Sequence, residues 1–354
     1  MKKGFEEGTF IRVGSSNRQA STEMIAELKR QQHSISFDSE ISYEKSANVL
    51  EFLVFEANFL EKTDEALTAA VLKKLELIKS DRGISYPTNA LVLLSGDEIK
   101  KMLFPYAKIE CARFKGEEPG NFIDRKSFEN SILTQPEEAY QFVIRHISQG
   151  TTDYTGVYRN DRWEYPVIAI REAIRNAVIH RDYSLSGMDI KVAVFDDKIE
   201  ITSPGKLPPT VDYSDMQSGQ SSIRNKVLAP IFKRLGIIEQ WGNGLKLIAD
   251  ELKKYPEIGF EWKEPGMAFR VIFYKKKKSD NEPAEVVAET SEKTSEKIIE
   301  LIELKDIITI SEIAAKIGIS ERSVERNLQK LQLAKKLLRD GPDKGGHWKI
   351  LKRK

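Results

Sequence analysis

The stretch from Ser279 to Ser295 (SDNEPAEVVAETSEKTS) constrains the fold more than any other, because it cannot be built into a core. It is rich in Ser, Thr, Glu and Pro and holds no aromatic residue. The little apolar surface it can bury does not offset the entropy of ordering it, so residues 279–294 read as a flexible linker. At 354 residues the chain is in any case long for a single core. A large body before the linker and a small one after it, 295–354, are therefore expected. Lys275 to Lys278, just ahead of the linker, either touch DNA or merely solubilise a strand end.

Charge divides along the same line. Residues 291–354 hold 15 Lys/Arg against 10 Asp/Glu, a net of +5; the whole chain nets +2, which leaves about −3 for the rest. A basic end on a slightly acidic body points to an anionic partner for that end. Cys111 is the sole cysteine, which excludes intramolecular disulfides and thiolate zinc clusters and suits a reducing compartment. No apolar run approaches the roughly 20 residues that span a bilayer, and the first residues (MKKGFEEG) carry no apolar leader. A cytoplasmic protein with no membrane partner is expected.

The small body has the grammar of a helix-turn-helix. An amphipathic helix over Ser295–Leu304 leads to Ser311–Ser320, and then to a second helix over Glu321–Leu331. Ile313, Ala314 and Ile317 face a core; Gly318 makes the turn, Ile319 plugs the corner and Ser320 caps the next helix. On that helix Val324, Leu328 and Leu331 form a buried stripe. Arg322, Arg326 and Lys330 recur along another face, with Ser323 and Asn327 beside them. Guanidiniums and an amide suit the major groove of double-stranded DNA, where Arg reads guanine and Asn reads adenine. Two short strands, Lys336–Arg339 and His347–Leu351, then flank a Gly-rich turn. That is a wing, with Lys344 at its tip to meet phosphate. A three-helix protein-interaction domain with a solvated basic face is the competing reading.

Before the linker, helix and strand patterns alternate, giving an α+β chain of several domains. Helices are expected over Asp64–Lys79, Pro136–Gln149, Pro166–Arg181, Ile223–Leu235 and Trp241–Tyr255. Strands are expected over Ala90–Ser95, Lys108–Phe114, Asp189–Phe195, Lys198–Ser203, Gly259–Lys263 and Ala268–Lys275. On the Pro166–Arg181 helix, Ile170, Ile174, Ala177 and Val178 cover one side. Glu172, Asn176 and His180 stack four residues apart on the other. A carboxylate one turn from a carboxamide can share work on a nucleotide, the amide oxygen holding Mg²⁺ and the carboxylate orienting water.

Glu-x-x-x-Asn on a helix, a hairpin ending in Ser203-Pro204-Gly205 and Gly242-Asn243-Gly244 opening another helix resemble the GHKL ATP-binding fold of gyrase and histidine kinases. Arg171–Tyr183 (REAIRNAVIHRDY), Phe195–Gly205 (FDDKIEITSPG) and Arg234–Gly244 (RLGIIEQWGNG) resemble, more closely, a bacterial regulator family. Its members join an AlbA/Schlafen-like N-terminal domain to a degenerate GHKL-like domain, and many are labelled RecG-like helicases. Phe10–Ser21 (FIRVGSSNRQAS) resembles the end of that N-terminal domain, whose earlier strands and glutamate-rich motif are absent. The resemblance implies residues 1–40 as the tail of the AlbA/Schlafen-like domain, 41–150 as an α/β middle domain and 151–278 as a GHKL-like α/β sandwich.

It also implies ATP and Mg²⁺ as cofactors, with Glu172 activating water, Asn176 ligating the metal and Gly242 and Gly244 exposing amides to phosphate. His180, Ser203 and Gly205 would complete the nucleotide site. One departure matters: active GHKL enzymes read adenine with the Asp of Asp-x-Gly, where this chain has Ser203. No Gly-x-x-x-x-Gly-Lys-[Ser/Thr] loop occurs, which disfavours a helicase. The functions that remain are a homodimeric DNA-binding transcriptional regulator with a sensing body, a GHKL-type ATPase acting with DNA, and an interaction scaffold without a DNA target.

Overall fold

The computed structural model describes residues 4, 8–13, 16–33, 35–44, 46–96, 98–155, 158–207, 223–238, 244–276, 297–303, 308–317, 319, 321–333, 336–340 and 347–350. They fall into two compact units that divide between Asp280 and Asn281.

The first unit opens with a hairpin of β1 (Phe10–Val13) and β2 (Ser16–Gln19), followed by α1 (Thr22–Gln32). Next come α2 (Leu53–Thr63), α3 (Ala69–Lys74), the hairpin of β3 (Ile78–Asp81) and β4 (Ile84–Pro87), α4 (Asn89–Ser95) and α5 (Glu98–Leu103). Two expectations fail here. The anticipated Asp64–Lys79 helix is broken, because Leu67, Leu72 and Leu77 are all buried at a spacing of five, which one helix cannot place on one face. Asp64 closes α2 in the left-handed region with φ 54°, and Thr68 caps α3 by accepting from the Val71 amide at 3.3 Å. The anticipated Ala90–Ser95 strand is helical. Every residue of α4 is buried, so the run has no polar face from which a period could be read.

The rest of the unit is a two-layer sandwich. Its strands are β5 (Ile109–Phe114), β6 (Phe122–Phe128), β9 (Ile190–Val194), β10 (Lys198–Pro204), β11 (Ile258–Lys263) and β12 (Ala268–Lys275). They order as β11-β12-β10-β9-β5-β6, with β5 and β9 parallel and all other neighbours antiparallel. The hairpin of β7 (Gln149–Thr155) and β8 (Tyr158–Trp163) stands outside this sheet. Residues 41–150 supply β5 and β6 and residues 151–278 supply β9 to β12, so these two segments share one sheet and one core.

Alternation decides which face is covered. Ile109, Cys111, Val192, Ile199, Ile201 and Phe273 point inward and are buried. They meet a helical layer of α6 (Gln135–His146), α7 (Val167–Ile179) and α9 (Gly244–Lys253), with α8 (Leu228–Arg234) packed against α7. The other face is polar: Arg270 pairs with Glu200 at 3.0 Å and donates to the Thr202 hydroxyl at 2.9 Å. Lys100 is among the ionisable side chains buried in this unit, and it sits at a junction. The Lys100 ammonium of α5 donates to the carbonyls of Ala107, Glu129 and Asn130 at 2.6, 2.7 and 2.9 Å.

The second unit contains α10 (297–303), α11 (Ile310–Ile317), α12 (Glu321–Leu333) and the hairpin of β13 (Leu337–Asp340) and β14 (His347–Ile350). Ile313, Ala314, Val324, Leu328 and Leu331 are buried as their spacing predicts, with Leu337 and Trp348 of the hairpin joining them. The anticipated linker, the Gly318 turn, the Ser320 cap and the wing tip lie outside the described residues.

Removing the Lys100 donor strands three carbonyls in a buried place. Lys100→Met is expected to destabilise the first unit by about 3 kcal/mol, measured by urea denaturation, because unsatisfied buried acceptors cost more than the lysine's own burial saves. An unchanged midpoint would contradict this role.

Candidate functional site

The column on α7 meets the N-terminus of α9. Glu172 is only 4 % exposed, and Asn176 beside it is half-buried. Gly244, the first residue of α9, lies directly on both: a Cβ there would overlap the Glu172 carboxylate and come within 3.3 Å of the Asn176 amide nitrogen. Glycine is needed here for space, and an anion is favoured because a helix N-terminus presents partial positive charge. Gly242, the other glycine of the expected phosphate-binding pair, lies outside the described residues.

At the far end of α7, His180 is the C-cap and is half-buried. Burial, and then the nearby Arg224 guanidinium, push its imidazole down to about 4, so the ring is neutral at pH 7. Next to it is a knot of buried polar groups whose partners the sequence does not reveal. The Arg181 side chain is fully buried, donating to the Asp182, Leu185 and Met188 carbonyls and lying over the Tyr183 ring. Asp182 accepts from the Ser184 hydroxyl at 2.6 Å and pairs with Arg224 at 2.9 Å. Asn225 donates to the Ile179 and Arg181 carbonyls at 2.8 and 2.9 Å.

Ser203 and Gly205 join the same knot. The Ser203 hydroxyl donates to the Ala177 carbonyl at 2.6 Å, tying β10 to α7. Gly205 has φ +107° and sits under Asp182, whose Cβ would lie 2.9 Å from any Cβ added to the glycine. The Asp182 amide donates to the Pro204 carbonyl at 2.8 Å. The structure therefore brings Glu172, Asn176 and Gly244 together along the middle of α7, and sets His180, Ser203 and Gly205 around its C-terminal end, about one turn further on. The run His180-Arg-Asp-Tyr183 lies in the knot, and its partners Arg224 and Asn225 carry no local signature in the sequence.

The Glu172 carboxylate lies directly against the Gly244 backbone, so a Mg²⁺-nucleotide has no room between them unless the Glu172 side chain swings aside. Among the described residues there is also no cluster of three or more His, Cys, Asp or Glu able to hold a metal ion.

In the second unit α12 presents its buried stripe inward, which leaves helix positions 322, 326 and 330 on the side away from the core. The side chains of Arg322, Arg326 and Lys330, and all of Lys344, lie outside the described residues. Ser323 and Asn327 are half-buried, and the Asn327 amide donates to the Ser323 carbonyl at 2.8 Å. Ser311 of α11 donates to Glu321 at 2.6 Å, fixing the entry to α12.

Three comparisons place these units among known proteins. Residues 187–273 match the family model described as "Putative ATP-dependent DNA helicase recG C-terminal". This span takes in β9 to β12, α8 and α9, and begins after α7, so Glu172 and Asn176 lie outside it. Residues 291–334 match the winged helix-turn-helix DNA-binding model. The crystal structure of the DIP2311 protein from Corynebacterium diphtheriae is similar over 96% of this chain and 69% of its own, with a TM-score of 0.54 and 18% identity, a likeness of fold alone. No characterised protein matches significantly in sequence. The chain thus carries a RecG-C-terminal-like ATPase-type domain and a winged-helix DNA-binding domain. Among the described residues no helix is long and apolar enough to cross a membrane.

Two outcomes follow from this geometry. Gly244→Ala is expected to destabilise by about 1–3 kcal/mol through overlap with the Glu172 carboxylate. In a double-mutant cycle, Glu172→Ala should relieve much of that cost, and strict additivity would contradict the contact. The second concerns acid. A free imidazole titrates near 6.5 and His180 only near 4, so in that window the unfolded chain binds the extra proton. Stability is therefore present above about pH 6.5 and lost as pH falls toward 4, and His180→Gln should flatten that part of the stability–pH curve.

Proposed function

We propose that this chain is a cytoplasmic regulator of transcription, whose second unit binds double-stranded DNA and whose first unit dimerises or answers a small ligand. The observation that carries this reading is the winged-helix match over residues 291–334, on a unit whose three helices and hairpin close over one apolar cluster. In it α12 enters the major groove, with Arg322, Ser323, Arg326, Asn327 and Lys330 toward base edges and Lys344 on the wing toward phosphate. The basic balance of residues 291–354 supplies the sequence-independent attraction. An interaction scaffold needs no basic helix, and this feature favours the DNA-binding reading over it.

A second reading, ATP hydrolysis with Glu172 as base and Asn176 on Mg²⁺, draws on the match over residues 187–273. The contact between Gly244 and Glu172 argues against it, and we derive no hydrolytic step. Saturable heat on titrating Mg-ATP into the folded protein would reopen it.

The test of the first reading is fluorescence anisotropy with labelled DNA. Arg322→Ala and Arg326→Ala are each expected to cost about 1–3 kcal/mol of discrimination between the preferred site and random DNA. Lys344→Ala should weaken both alike and lower the salt slope by about one. Unchanged specificity in both arginine variants would refute the assignment of α12.

A further inference from the structure

The six-stranded sheet has two edges, and they differ. At the β11 edge, Arg162 donates to the Lys254 carbonyl at 2.9 Å and pairs with Glu257, while Lys276 bonds back to the Glu257 carbonyl. β6, at the other edge, pairs only with β5 among the described residues, and all of its side chains but Phe128 are exposed. Phe122 and Ile123 are 56 % and 57 % exposed. An edge strand of this length that shows apolar side chains is a template for another strand.

We propose that β6 is the dimer interface of this protein, pairing antiparallel with β6 of a second copy to make one continuous twelve-stranded sheet. This rests on the reading of the first unit as a dimerising body. The occupant is identified by the strand's own sequence, Phe122-Ile-Asp-Arg-Lys-Ser-Phe128. A two-fold axis normal to the sheet keeps both helical layers on the same side, so residues directly opposite must point to the same face. Three central registers meet that condition. One sets Asp124 opposite itself and another sets Lys126 opposite itself, both like-charge pairs that destabilise.

The third register centres on Arg125. It places Asp124 opposite Lys126 of the second copy, twice by symmetry. Asp124 and Lys126 lie on the helix-covered face. There Asp124 already meets His146 of α6 at 2.9 Å and Lys126 lies over Phe128 at 5.0 Å, so both are held in place rather than free to splay. The one like pair is Arg125 with its copy. It falls on the open face, where each guanidinium leans over the Phe122 ring of its own chain at 5.9 Å, away from the axis. The charges thus reject slipped registers and accept this one. A two-fold body also suits a winged-helix reader, since paired readers recognise paired half-sites.

Sedimentation velocity on the full chain tests this, with circular dichroism to show that each variant is folded. The wild type is expected to be a dimer. Lys126→Asp should raise the dimer dissociation constant on the order of tenfold or more, and Asp124→Lys with Lys126→Asp should restore it, because the swap rebuilds the pair across the seam. Arg125→Cys places two thiols face to face on the axis, at a Cα separation within disulfide range. Mild oxidation should therefore cross-link that variant, while the wild type, whose sole cysteine Cys111 is buried, should stay uncross-linked. A monomeric wild type would overturn both this interface and the dimeric body. A dimer indifferent to Lys126→Asp and not cross-linked by Arg125→Cys would overturn the interface alone, leaving dimerisation to another surface.

Discussion

The first unit depends on a buried carboxylate set against the start of a helix. Glu172 is buried on the packed side of α7, where an unmatched carboxylate would be very costly. The N-terminus of α9 supplies the matching partial charge, and Gly244 lets it approach as closely as a backbone can. This contact fixes the distance between α7 and α9, and α7 in turn touches α6, α8 and the sheet. The residue whose motif suits it to activating water thus also takes part in packing α7 on α9. The knot at the C-terminal end of α7 has the same character, since Ser203 and Gly205 secure β10 to that helix.

How much of this was legible depended on whether the information was local. The β9–β10 hairpin, the α7 helix and the stripe of Val324, Leu328 and Leu331 follow from periodicities within a few residues, and the structure shows each of them. The column of Glu172 and Asn176 was visible for the same reason. That Gly244 would fill the space before it was not, because the glycine arrives some seventy positions later through a chain path no pattern encodes. The anticipated Ala90–Ser95 strand failed differently. The apolar stretch Ala90–Leu94 has no phase, and burial on all sides admits helix and strand alike. Likewise the pairing of β5 with β9, which makes one sheet of two segments, is a long-range choice that neither strand's composition announces.

The two units divide the work by chemistry. The second brings net positive charge and a helix whose core-facing stripe leaves its basic positions on the opposite side, an arrangement that suits a polyanion. The first brings a sandwich with one polar face, one helical face and, among the described residues, two edge strands, β11 and β6.

The most direct measurement is a protection footprint of the full chain on double-stranded genomic DNA, beginning with the region upstream of its own coding sequence. The account predicts two protected half-sites with their centres about one helical turn, or a whole number of turns, apart, and a single protected half-site for Lys126→Asp at the same protein concentration. The absence of any protected sequence at low salt, with the protein shown to be folded, would contradict the central claim that this chain reads DNA.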